Sequence, residues 1–258
     1  MTTTDISYVG LVIGLLLMVI PLYFFNLYKV RLTKSTVVST IRMIVQLFLI
    51  GIYLKYLFIW NSPFINILWV ILMVLVASFT SLSRTHLKAK YMFIPVAVGL
   101  FVSAMVIGLY FLIFVLQLKN PFESQYFIPI VGILMGNMLG VNVISLSTYF
   151  GGLRRESQLY YYLLGNGATQ QEALTPFISK AIHKAFTPCI ANMAVMGIVA
   201  FPGTMIGQIL GGSQPDVAIK YQMMIVVITF CASMLSLIIT IRLANMKAFN
   251  RYGKLQNI

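Results

Sequence analysis

The groups able to do acid–base or metal chemistry are few. Asp5, Glu123, Glu156, Glu172 and Asp216 are all the carboxylates, and His86 and His183 all the imidazoles, in 258 residues. Divalent transition metals favour such oxygen and nitrogen donors, yet every one of them lies outside the predicted membrane helices, so no preformed high-affinity cage is written there. Catalysis needs such groups, or a serine near a histidine, within hydrogen-bond reach. No such cluster stands at suitable spacing, and no Gly-rich phosphate loop ending in Gly-Lys-Ser/Thr is present. The 15 methionines offer thioethers, which suit Cu(I). Met135, Met138, Met193, Met196, Met205, Met223 and Met224 fall in or near apolar runs but form no regular ladder, and they read as fillers of irregular helix interfaces. Cys189 and Cys231 make neither a disulfide framework nor a metal motif. No catalytic, cofactor-binding or metal-ligating residue is therefore assigned.

Polar and small residues inside apolar runs are the remaining candidates. Arg42 sits just inside the second predicted helix, with Gln46 one turn further along the same face. A charge there is costly unless it snorkels or pairs, so Arg42 reads first as a snorkelling or bracing residue and second as a gating or substrate-handling one. Gly132, Gly136 and Gly140 repeat every four residues and admit close approach of another helix, within the chain or at a dimer seam. Asn137 and Asn142 flank that stripe and need hydrogen-bond partners in an apolar setting. Phe201-Pro202-Gly203 and Gly207-Gln208 interrupt the sixth predicted helix. Proline leaves carbonyls incompletely bonded, so Pro202, Gly203 and Gln208 fit either an opening element or a packing kink.

These residues must be held by a membrane bundle. The chain is 60% hydrophobic and 9% charged, against roughly 25% charged in a soluble domain. Long uncharged windows predict seven transmembrane helices at 7–27, 37–57, 64–82, 92–116, 127–149, 189–210 and 221–243 in an all-α integral membrane protein, one transmembrane domain over 1–258. The first run follows Asp5 with no basic leader and no small-residue cleavage site, and reads as a retained span. Lys29, Arg31 and Lys34, then Arg84, Lys88 and Lys90, then Arg154, Arg155, Lys180 and Lys184, and finally Arg242, Lys247, Arg251 and Lys254 cluster at one side. Only Lys55, Lys119 and Lys220 fall at the other. The positive-inside bias then places the N-terminus outside and the C-terminus in the cytoplasm of a cell-membrane protein. The net charge of +13 is accounted for by headgroups and orientation rather than nucleic acid.

This topology leaves one large cytoplasmic feature, residues 151–188. A short helix from Glu156 to Leu164 should end at Gly165-Asn166-Gly167, which tolerates a left-handed turn. Thr169 should then cap a second helix with Glu172 as its capping-box partner. Pro176 is expected to kink or divide that helix. Beyond it, Phe177, Ile178, Ala181, Ile182, Ala185 and Phe186 form an apolar stripe expected to lie on the membrane interface or a partner.

Here the chain resembles a family, the permease subunits of the bacterial iron-export ABC transporter, related to plant transmembrane proteins of aluminium tolerance. The resemblance runs through "IRMIVQLFLIG" with Arg42 and Gln46, "FIPIVGILMGNML" with Gly136 and Asn137, "LLGNGATQQEA", and "MGIVAFPGTMIGQILGGSQPDVAIKYQMMI" at 196–225. It implies a homodimeric pore with two copies of a separate ATPase, which would use ATP and Mg, and iron as cargo. It also implies that Glu156, Leu164, Gly165, Gly167, Ala168, Thr169, Glu172 and Ala173 belong to a coupling segment contacting that ATPase. Without intramembrane acids the iron would travel by weak polar ligands or in chelated form. A stand-alone secondary transporter or channel is the alternative, though such proteins often couple through intramembrane acids. A further alternative is a membrane scaffold docking a cytosolic protein through 151–188.

Overall fold

A computed structural model of the chain describes residues 7–250 and 253–256. Asp5 and Arg251, named above, lie outside these. The described residues are helical, with α1 (Tyr8–Leu16), α2 (Val19–Leu27), α3 (Thr33–Trp60), α4 (Pro63–Thr85), α5 (Ala89–Tyr110), α6 (Ser124–Arg155), α7 (Ser157–Gly165), α8 (Gln170–Val195), α9 (Gly203–Leu210) and α10 (Pro215–Ala248). A π-helical turn, Phe111–Val115, continues α5. Among the described residues, six helical stretches are long and apolar enough to cross a membrane: Tyr8–Leu27, Thr33–Trp60, Pro63–Thr85, Ala89–Val115, Ser124–Arg155 and Pro215–Ala248.

Most helices outrun their predicted apolar windows, because backbone bonding continues until a residue can stop it. Asn61 ends α3 and His86 ends α4 in the left-handed region, at φ 38° and 53°. Pro63 and Pro215 open α4 and α10, where the missing amide leaves no intrahelical bond unmade. The first predicted span is divided at Leu17-Met18. Pro21 has no amide for the Leu17 carbonyl, which accepts instead from Ile20 N–H at 3.2 Å.

The sixth predicted helix, 189–210, is not one helix. Its first third continues α8 to Val195, residues 196–202 unwind, and α9 follows. Gly197 sits at φ 88° and its N–H donates to the Ala200 carbonyl at 2.9 Å, closing a turn that Pro202 then prevents from rewinding.

Pro176, expected to kink or divide the helix, does not divide it, since α8 runs through both Pro176 and Pro188. Burial explains why. Ala173, Leu174, Phe177, Ala181, Ala185 and Phe186 are all buried, and α8 packs against α6. That contact outweighs the one backbone bond each proline removes. Phe177, Ala181, Ala185 and Phe186 of the predicted stripe are thus buried within the chain, with Ile178 and Ile182 half-buried beside them.

Helix α6 is the central strut. Its start is fixed by Ser124, whose N–H donates to Asn61 Oδ1 at 2.9 Å, and by buried Asn66, whose Nδ2 donates to the Phe122 carbonyl at 2.8 Å. Near its far end the Tyr149 hydroxyl donates to Asn245 Oδ1 of α10 at 2.7 Å. Buried Ser145 bonds back to the Val141 carbonyl of its own helix, which lets a hydroxyl sit in the apolar interior. Helices α5 and α10 form the tightest seam. A Cβ on Gly99 would collide with Thr240 Oγ1 and stand 3.0 Å from the Ser236 carbonyl. By contrast α1 and α2 bury no residue and α3 buries only Leu57.

Candidate functional site

Two places collect the candidate residues, and α8 joins them. The first is the elbow where α6 gives way to α7 and α8. Glu156 sits at the junction with φ −108° and ψ 34°, so the chain turns there rather than extending α6. Its Oε2 accepts from Lys180 Nζ of α8 at 2.7 Å and its Oε1 lies 3.3 Å from Arg155 Nη2. The bond from Lys180, and secondarily that from Arg155, holds the Glu156 carboxyl below the usual carboxylate range.

The end of α7 is a Schellman turn. Ala168 N–H donates to the Leu163 carbonyl at 3.1 Å and Gly167 N–H to the Leu164 carbonyl at 3.0 Å, with Gly167 at φ 88°. That φ, and not crowding, demands glycine, because nothing lies within 4 Å of an added Cβ. Thr169 then caps α8 as its spacing predicts. Glu172 Oε2 accepts from the Thr169 N–H at 2.7 Å, and Thr169 Oγ1 accepts from the Glu172 N–H at 3.4 Å. The Thr169 hydroxyl, which also donates to Glu172 Oε2 at 2.7 Å, and then the Thr169 N–H bond, hold the Glu172 carboxyl low as well.

Of the coupling candidates, Gly165, Gly167, Thr169 and Glu172 are exposed, Glu156, Leu164 and Ala168 half-buried, and Ala173 buried. Sequence reading missed what anchors α7 from behind. Tyr160 is buried, its ring centroid 5.5 Å from that of Phe249, and its hydroxyl donates to the Gly253 carbonyl at 2.9 Å. The C-terminal residues curl back to make this contact, with Gln256 N–H donating to the Ala248 carbonyl at 2.8 Å. A polar-tipped tyrosine in a run of three (160–162) was the available signal, since buried phenols seek a partner.

The second place is a groove of about 450 Å³ between α6, the far end of α8, α9 and α10. Gly136, Asn137 and Gly140 form the α6 wall, and Cys189, Asn192, Met193 and Met196 the α8 wall. Gln222 of α10 accepts a short hydrogen bond from the Thr204 hydroxyl of α9, tying α9 to the groove rim. An added Cβ on Gly132, Gly136 or Gly140 would meet nothing within 4 Å, so among the described residues no helix packs on the stripe. Asn137 satisfies its Nδ2 on the Ile133 carbonyl at 2.9 Å, whereas buried Asn142 faces the other way and donates to Ser236 Oγ at 2.8 Å.

Pro202 and Gly203 stand at the α9 start beside Thr204, and Gln208 is half-buried on α9. Arg42 and Gln46 are exposed on α3 and are not among the groove residues. No carboxylate or imidazole lines the groove. Among the described residues no group of three His, Cys, Asp or Glu is placed to hold a metal.

The family described as "Uncharacterised protein family (UPF0014)" matches residues 8–249. The chain belongs to UPF0014. The "Probable iron export permease protein FetB" of Escherichia coli (strain K12) is 28% identical over 250 residues, 97% of this chain and 95% of that protein. The "UPF0014 membrane protein YjkA" of Bacillus subtilis (strain 168) is 27% identical over 236 residues, 90% and 92% of the two chains. The "Protein ALUMINUM SENSITIVE 3" of Arabidopsis thaliana is 31% identical over 214 residues, 81% and 74%. No solved structure matches the chain. This UPF0014 member is a multi-pass integral protein of the cell membrane.

Proposed function

We propose that the chain is the permease subunit of an ABC transporter, a homodimer that moves iron out of the cell with ATP hydrolysed, together with Mg, by two copies of a separate ATPase. The observation that carries this reading is the elbow. A nine-residue helix, α7, is held in place by an ion pair, a Schellman turn, a capping box and the C-terminal hook. It presents Tyr161 and Tyr162, 44% and 66% exposed, on its free face. Rigid aromatic side chains of that kind suit insertion into a cleft on another protein. The relative named an iron export permease supports the transport class, and its near-complete coverage supports carrying the whole-chain role across.

Under this reading residues 151–188 face the cytoplasm and the basic clusters set the orientation, N-terminus outside and C-terminus inside. The sixth predicted span is then the broken pair formed by the end of α8 and α9. Discontinuous helices lining a cavity are the usual place for a transported solute, which favours a transporter over a docking scaffold. Asn137, Asn192 and Gln222 supply the weak oxygen donors of the path. Gly136 and Gly140 leave room on the α6 wall of the groove.

Helix α8 spans about 39 Å at 1.5 Å per residue over its 26 residues, so one rod carries displacement of the elbow to the groove. The reading is tested by measuring ATP hydrolysis and Fe(II) movement in liposomes containing the chain and its ATPase. Stimulated hydrolysis with Fe(II) flux supports it, and absence of ATPase binding overturns it.

A further inference from the structure

The groove contains a second set of donors that the oxygen chemistry of Asn137, Asn192 and Gln222 leaves unused. Cys189 and Met193 stand at i and i+4 on α8, a spacing that puts both on one helix face, and Met196 is the first residue past its end. All three line the same groove.

Burial separates these sulfurs from ordinary core fillers. Met135 and Met138 of α6 are 5% and 0% exposed inside the bundle. Met193 is 39% exposed, and Cys189 and Met196 are partly exposed. Cys189 packs partly against the core, its thiol 3.7 Å from the Ala185 carbonyl, and Met193 opens further toward the groove.

We propose that Cys189, Met193 and Met196 form a binding site for a monovalent thiophilic cation of the Cu(I) class on the α8 wall of the groove. Thiolate and thioether donors select such ions over hard divalent ones. The charge balance suits the location. As the cation binds, a Cys189–metal bond forms, the S–H bond breaks and the proton leaves to water, so the bound unit of cation, thiolate and two neutral thioethers carries no net charge. The site's role as a cargo station rests on the permease reading, but its existence does not.

The test titrates Ag(I), a redox-inert stand-in, into the full-length chain in detergent without ATPase. Cys231, an exposed thiol outside the groove, is first replaced by serine. The expected result is one tight Ag(I) with sulfur neighbours in X-ray absorption, and no competition from Fe(II) or Mn(II). Cys189→Ser should weaken binding by at least the roughly 10-fold that losing an outer-shell partner costs a metal site. Met193→Leu and Met196→Leu should each weaken it less. Because variants can misfold, protection of the unmutated Cys189 thiol from maleimide by Ag(I) is measured in parallel and should be near complete.

Parent-like Ag(I) affinity in a folded triple variant, bound Ag(I) without sulfur neighbours, or no thiol protection would each overturn the site. Ag(I) binding without stimulation of the ATPase would keep the site and remove its transport role. Stimulation by iron with no Ag(I) binding would do the reverse.

Discussion

The two ends of α8 are built on opposite principles. At Gln170 the helix begins under a capping box, an ion pair from Lys180 to Glu156 and a continuous buried face against α6. At Val195 it ends among exposed residues, with Ile198 and Val199 85% and 77% exposed in the turn that follows. One end is over-determined and the other is held by little more than its own backbone. Under the permease reading, a rod fixed at the elbow and loose at the groove would turn a push at α7 into a change of groove shape, because the compliant end moves first.

The contrast is broken most severely by loosening the tight end. Phe177→Ala empties a fully buried site between α8 and α6 and should destabilise the fold by roughly 3–5 kcal/mol, read as a large fall in the detergent melting temperature. Gly136→Trp acts on the loose end instead. With open space around that position, the indole should fill the groove and stop cargo flux while the melting temperature stays near that of the parent. A large loss of stability in this variant would mean that the groove wall is not open.

A smaller effect is expected at the C-terminal hook. Tyr160→Phe removes the bond to the Gly253 carbonyl and should cost about 0.5–1.5 kcal/mol, with faster hydrogen exchange confined to α7 and the hook. The smallest is the pH response of the Glu156–Lys180 pair. A carboxylate whose folded pKa is lowered gives stability that is fully present above its unfolded pKa and is lost as pH falls through the folded one. Acidification below the ordinary carboxylate range should therefore loosen the elbow slightly, and Glu156→Gln should remove that part of the pH dependence of the melting temperature.

The tight end was the more legible one in the sequence, and for a physical reason. Thr169, Glu172 and Gly167 act through bonds to residues three to five positions away, which spacing alone reveals. The Tyr160 to Gly253 bond joins residues 93 apart and leaves no local trace. Hydropathy marked the spans, since lipid contact imposes apolar side chains whatever the packing. It could not say that most of the stripe after Pro176 is buried within the chain, or that burial there would carry the helix through the proline. The glycines illustrate the same limit. Gly132, Gly136 and Gly140 have the regular spacing, yet the close contact in the described chain is at Gly99 against Ser236 and Thr240, where a single glycine carries no pattern. The break at 196–202 was half legible. Pro202 and Gly203 marked an interruption, but the left-handed Gly197 that ends α8 stands within an apolar run that reads as helix.

The most direct test of the account is ATP hydrolysis by the partner ATPase in liposomes carrying either the parent chain or Gly167→Pro. Proline cannot adopt the φ of 88° found there and removes the amide that bonds Leu164, so the elbow loses its shape while the spans are untouched. The account predicts normal insertion of both chains, with stimulation of hydrolysis by the parent and none by the variant. Equal stimulation by the two would contradict it.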